Sequence, residues 1–177
     1  EVAIGPLNST LSGQFTGWQS IAYAERGLTY LTTQSELQPY VALQYIYLRQ
    51  NGFSETGGVG ALDVAGIDAN SLRSFVGTRL SSPYVTAGGQ LLVPQARVAW
   101  LHEFLDTNQI SNARFGAFGG GTSFAVQGLD LGRDWALVGA GLTWNISEQV
   151  QIAGNYDLQA NGQQTFHIGS GSLTYWW

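Results

Sequence analysis

The chain contains no cysteine, no methionine and no lysine; its seven basic residues are all arginine. Without cysteine there are no disulfides, no thiolate metal sites and no cysteine nucleophile. Charged residues make up only 11% of the chain, where about 25% is usual for a soluble domain. Twelve acids leave a net charge of −5, and no basic cluster offsets them, so nucleic acid is excluded as a partner. The two histidines, His102 and His167, are far apart and lack spaced acids, which argues against a metal site. No Gly-x-Ser-x-Gly elbow is present. The run Gly119-Gly120-Gly121 followed by Thr122 lacks the lysine of a phosphate loop and reads as a bulged or flexible strand segment. No cofactor is expected. No apolar run approaches the ~18 residues of a membrane-spanning helix; the longest covers 135–142 and includes two glycines. With neither a methionine nor a leader segment, the sequence is read as starting inside a longer gene product.

The 177 residues suffice for one domain with a sizeable core, and 44% hydrophobic residues argue against disorder. A single domain over 1–177 is expected, with 1–13 as a leading segment. The dominant pattern is alternation. Val150, Ile152, Gly154, Tyr156 and Leu158 share one face; Gln151, Ala153, Asn155, Asp157 and Gln159 share the other. Residues 136–145 repeat this, with Ala136, Val138, Ala140, Leu142 and Trp144 on the apolar side. Period two means strands with one apolar and one polar face. Two proline-led segments, 37–45 and 92–100, also match each other in pattern. Hairpin signals lie at 145–148 and at Asn161-Gly162. The reading is eight strands, at 14–32, 37–53, 69–82, 90–106, 111–126, 134–146, 149–160 and 165–177.

These strands exceed the five or six residues typical of soluble sheets and match the length that crosses a bilayer at a tilt. Their apolar faces carry Leu and Val at mid-strand and Tyr or Trp near the ends, as lipid-facing strands do. Hydropathy averaging is blind to such barrels, because their strands alternate. A soluble barrel would turn the apolar face inward and show water an outer face usually rich in Lys and Glu. The fold expected is therefore all-β: an antiparallel up-and-down transmembrane barrel of about eight strands.

Several segments, in order along the chain, are similar to one family. They are Pro39-Tyr40-Val41-Ala42-Leu43 with Asn51-Gly52-Phe53-Ser54-Glu55; Ser71-Leu72-Arg73-Ser74 with Gly77 and Arg79; the run from Val93 to Phe104; Gly132-Arg133-Asp134 leading to 137–142; and the ending from His167 to Trp177. Together they cover nearly the whole chain, which resembles the C-terminal translocator barrel of autotransporters, the type V secretion proteins of bacterial outer membranes. The resemblance implies an outer-membrane location and a role in anchoring and exporting an N-terminal passenger. It also implies contact with the lipid bilayer and with the outer-membrane assembly machinery. The family barrel has twelve strands, so this chain is read as a partial barrel holding the last eight. Departures from the pattern are Phe75, where an inward acid is expected, Gly171 in the terminal strand, and Trp rather than Phe at the end.

Arg73, Arg79, Arg97, Glu103, Asn155 and Asp157 are expected on the lumen face. The charges there either line a route for a passenger or pair with one another, since a desolvated charge needs a partner. Leu173, Tyr175 and Trp177 share one face of the last strand; in the family this resembles, an aromatic-ended last strand is the signal that the assembly machinery reads. His102 and Glu103 are adjacent and point to opposite faces, so they form no dyad. Candidate loop acids Glu55, Asp63, Asp68, Asp130 and Asp134 come without histidine, and the chain is not expected to be an enzyme. The competing reading is a soluble or small outer-membrane eight-stranded barrel with a ligand-binding or structural role.

Overall fold

The computed structural model describes residues 2–4, 7–105, 107–108, 110–116 and 122–177, with side chains from residue 10 onward. Fifteen strands and no α-helix occur among them. They are β1 (Val2–Ile4), β2 (Leu7–Ser9), β3 (Gly17–Gly27), β4 (Tyr30–Leu31), β5 (Glu36–Gln50), β6 (Phe53–Ser54), β7 (Leu62–Val64), β8 (Ile67–Ser81), β9 (Tyr84–Val85), β10 (Leu91–Glu103), β11 (Ile110–Phe115), β12 (Phe124–Gln127), β13 (Asp134–Asn145), β14 (Val150–Ala160) and β15 (Thr165–Tyr175). Seven are long, at 11 to 15 residues. They form one sheet in the order β15-β14-β13-β10-β8-β5-β3, with β4 on β5 and β9 on β10. The strand pairings among the described residues are antiparallel.

The chain divides into two compact units. The first comprises Glu1–Ala22, Tyr45–Ser71 and Leu105–Asp130; the second comprises Tyr23–Gln44, Leu72–Phe104 and Leu131–Trp177. The division falls within β3, β5 and β8. In the second unit the alternation of the sequence becomes two faces. Along β13, Ala136, Val138, Ala140, Leu142 and Trp144 are exposed, while Trp135 and Gly139 are buried and Leu137, Gly141, Thr143 and Asn145 are half-buried. Cross-strand partners share a face, so the register carries this division sideways. Val98 lies opposite Val138, and Leu158 opposite Val138 on the other side. The outward side chains Val138, Leu142, Ile152, Tyr156 and Leu173 are 42–72% exposed.

On the opposite face Tyr40, Ala42 and Ala99 form a small buried cluster, with Phe75 and Leu137 packed against it. Leu101 beside Phe75 is 2% exposed. The aromatic ring of Tyr23 meets Phe75 edge-on at 6.5 Å. Phe75, at a position where an acid was expected, therefore serves this apolar cluster.

The first unit contains a second sheet, ordered β12-β11-β7-β6. Here the structure departs from the sequence reading. Residues 111–126 do not make one long strand: β11 and β12 pair with each other and belong to this smaller sheet, and β10 pairs directly with β13. Seven long strands are described instead of eight. The Gly119-Gly120-Gly121 run falls outside the described residues. The hairpin at Asn161-Gly162 is present but closes differently from the left-handed turn such a pair signals. The Asn161 side-chain oxygen accepts from the amides of Gln163 and Gln164, at 2.9 and 2.8 Å, and Gly162 has no positive φ.

Candidate functional site: the polar face of the long strands

The polar face of the second unit is organised as rows that cross the strands. In one row Arg79, Arg97, Gly139 and Asp157 stand side by side on β8, β10, β13 and β14. Two arginines directly opposite each other repel, and each turns to an acid on its own side. Arg79 grips Glu25 of β3 with both terminal nitrogens, at 2.5 and 2.7 Å. It also donates to Gln38 at 3.2 Å and lies 3.9 Å above the Tyr40 ring. Arg97 reaches in the other direction, past β13, to a two-point pair with Asp157; its Nε donates to Oδ1 at 2.6 Å.

That reach depends on Gly139. A Cβ built there would fall on Asp157 Oδ1 and lie 2.8 and 2.9 Å from Arg97 Cγ and Nε. The missing side chain is the gap through which the pair closes. Nearer the other end of the strands, Glu103 is 5% exposed. It accepts from Arg73 Nε at 3.0 Å and from the Leu72 amide at 2.9 Å, with Arg73 directly opposite in register. The structure thus brings together Arg73 with Glu103, and Arg97 with Asp157. Arg79 finds Glu25, which sequence reasoning missed; its only signal was an acid on the polar side of the first long strand.

A cavity of about 480 Å³ opens on this face, lined by Arg79, by the Arg97–Asp157 pair and by Gln38, Gln95, Asn155 and Ser170 among others. Asn155 is set here, next to Gly141 on β13 and Ser170 on β15.

The opposite, apolar face carries one polar cluster that the sequence reading had taken apart. Asp134 Oδ1 accepts from Trp100 Nε1 at 3.0 Å and lies 2.8 Å from His102 Nδ1. Asp134, a loop acid by sequence pattern, instead opens β13, where the register sets it beside His102. Ser74 is opposite His102 on the other side. The order Ser, His, Asp resembles a hydrolase triad, but Ser74 makes no side-chain hydrogen bond among the described residues. The flanking amides are committed to the strand ladder, so no oxyanion donors face the group. The cluster reads as aromatic side chains anchoring polar partners at a strand end. Similar pairs occur in the first unit, where Tyr47 donates to Asp68 at 2.8 Å and Tyr45 to Asn70 at 2.6 Å.

In the first unit's small sheet, the Ser54 hydroxyl above all holds the Asp63 carboxyl below its ordinary range; desolvation opposes it, and Arg114 adds to the lowering. Arg114 Nε lies 3.2 Å from Asp63 Oδ2. Leu173, Tyr175 and Trp177 are all exposed; Trp176 donates its amide to Gln149 O at 3.0 Å.

Comparison with known proteins adds two findings. The family model of the autotransporter beta-domain matches residues 1–157. An extracellular serine protease of Serratia marcescens is 22% identical over 153 residues, which make up 86% of this chain and 14% of that protein. The chain therefore spans a small part of the length of that relative.

Proposed function

This chain belongs to the autotransporter β-domain family, and from that premise we propose that it contributes to an outer-membrane barrel that anchors a passenger of the same protein and takes part in its export. Its fold is of the family's class, all-β and antiparallel. The observation that carries the membrane reading is the outward face. Large apolar side chains alternate there on adjacent strands in register, and soluble monomers rarely expose contiguous apolar surface on this scale. On β13 the band runs between Asp134 and Trp144. Ten residues at about 3.3 Å each, tilted by about 40°, span about 25 Å, which matches the apolar belt of outer-membrane barrels.

The polar face is the lumen side in this reading. Arg73, Arg79, Arg97, Glu103 and Asp157 fix the strand register by pairing across it, while Asn155 faces the cavity. The short connections 28–35, 82–90 and 146–149 belong on the periplasmic side. Two longer ones, 51–66 and 104–133, belong outside, as is usual for such barrels. Leu173, Tyr175 and Trp177 offer an extended, aromatic-ended strand to the assembly machinery. An exposed strand supplies backbone hydrogen bonds while alternate side chains enter apolar pockets. The protease activity named for the relative is a property of that protein, and this chain is proposed to act without enzymatic chemistry.

The test uses the full-length protein in a Gram-negative host. Outer-membrane fractionation, heat-modifiable gel mobility and passenger cleavage by external protease should all be positive. Recovery of this chain from the soluble fraction without detergent would overturn the reading.

A further inference from the structure

One row of the polar face has spent none of its side-chain hydrogen bonds. Ser81, Gln95, Gly141, Asn155 and Ser170 stand side by side on β8, β10, β13, β14 and β15. All five line the 480 Å³ cavity. The side chains of Ser81, Gln95, Asn155 and Ser170 have no hydrogen-bond partner among the described residues. The neighbouring charged row differs in this respect, since Arg79 and Arg97 are each neutralised by two-point contact with an acid. Gly141 at the centre of the row makes room for the Asn155 carboxamide, whose Oδ1 lies where a Cβ would fall.

We propose that this row is a sequence-neutral contact for the main chain of an extended polypeptide, the passenger segment in transit; the proposal rests on the export reading above. A carboxamide offers donors and an acceptor, and a hydroxyl offers both roles. That set complements a peptide group, which needs partners for its N–H and C=O when taken out of bulk water. The row itself carries no charge, so it selects neither acidic nor basic side chains. Five small or amide-bearing residues in a line let a chain slide without a fixed register. An apolar row would strip peptide groups of partners, and a charged row would trap one sign of side chain.

The experiment uses the full-length protein in cells. Gln95→Leu combined with Asn155→Leu should slow the appearance of protease-accessible passenger by about tenfold, as expected for losing one or two modest hydrogen bonds at the barrier. Heat-modifiable barrel should be unchanged. Gln95→Asn with Asn155→Gln should export at close to the wild-type rate. A photo-crosslinking residue at position 170 should capture passenger, and one at the outward position 142 should not. An unchanged rate in the leucine pair, or no capture at position 170 while passenger is exported, overturns the proposal and indicates a cavity filled by water only. Should the leucine pair fail to assemble, the capture at position 170 decides. A wild-type protein that never displays its passenger would refute the export reading itself, and is seen without any variant.

Discussion

Replacing Gly139 with alanine tests how the polar face is locked. In an open strand position alanine is favoured over glycine by about 0.5–1 kcal/mol. Here the new Cβ would fall on Asp157 Oδ1 and press within 2.8 Å of Arg97 Cγ, and neither side chain can give way without parting the pair. Breaking a fully buried pair costs about 3–5 kcal/mol, an exposed one under about 1. The side chains of Arg97 and Asp157 are 40% and 11% exposed, so the arginine end is well screened. The net expectation is a loss of about 2 kcal/mol for Gly139→Ala. Urea unfolding in lipid vesicles, followed by tryptophan fluorescence, measures it through the midpoint at constant slope. The decisive comparison is the same substitution in an Asp157→Ala background. With the acid gone, Arg97 is free to move aside and Gly139→Ala should be close to neutral or slightly stabilising. Equal costs in both backgrounds, or no cost in the wild type, would refute the idea that Gly139 acts as the gap for this pair.

Leu142→Arg, placed mid-band on the outward face, should cost about 2–4 kcal/mol in a bilayer, while Asn155→Ser on the other face should leave stability nearly unchanged; unfolding in vesicles compares the two. Replacing Trp176 and Trp177 with alanine in the full-length protein should sharply reduce heat-modifiable barrel and surface protease access, whereas normal assembly with slightly lower thermal stability would make these rings simple interfacial anchors. Asp63 titrates below its ordinary range in the folded state, so its contribution is present above the ordinary Asp pKa of about 4 and is lost as pH falls through the lower folded value. The opening free energy of β6, β7 and β11, taken from hydrogen exchange corrected for the pH-dependent intrinsic rate, should therefore be flat from pH 7 to about 5 and fall only in stronger acid, and Asp63→Asn should remove that fall.

The strands with clean alternation were readable from the sequence within one to three residues at their ends, β13 and β14 best. Each residue there has one face and one neighbour type, so period alone determines the element. The region 111–126 was not readable, because its alternation is equally compatible with one long strand and with two short ones that fold back on each other. Only the pairing of β10 with β13 decides between them. Among the polar residues, the sequence pointed to Arg97 and Asp157 as sharing a face, but not to their meeting past an intervening strand. That depends on Gly139 standing between them in register, and register is a property of three strands together. Glu25 and the contact of His102 with Asp134 were missed for the same reason: the partners are 54 and 32 positions apart, and nothing local in either segment announces the other.

The central claim is that the face bearing Val138 and Leu142 meets lipid while the face bearing Leu137 and Thr143 does not. These 177 residues hold no cysteine, so a cysteine introduced on β13 is the single labelling site within them. Labels at 136, 138, 140 and 142, in full-length protein reconstituted into vesicles, should relax strongly with dissolved oxygen, which concentrates in the hydrocarbon. Labels at 137 and 143 should not, so that accessibility alternates with period two along β13. Oxygen accessibility confined to 137 and 143, or no alternation at all, would contradict the account.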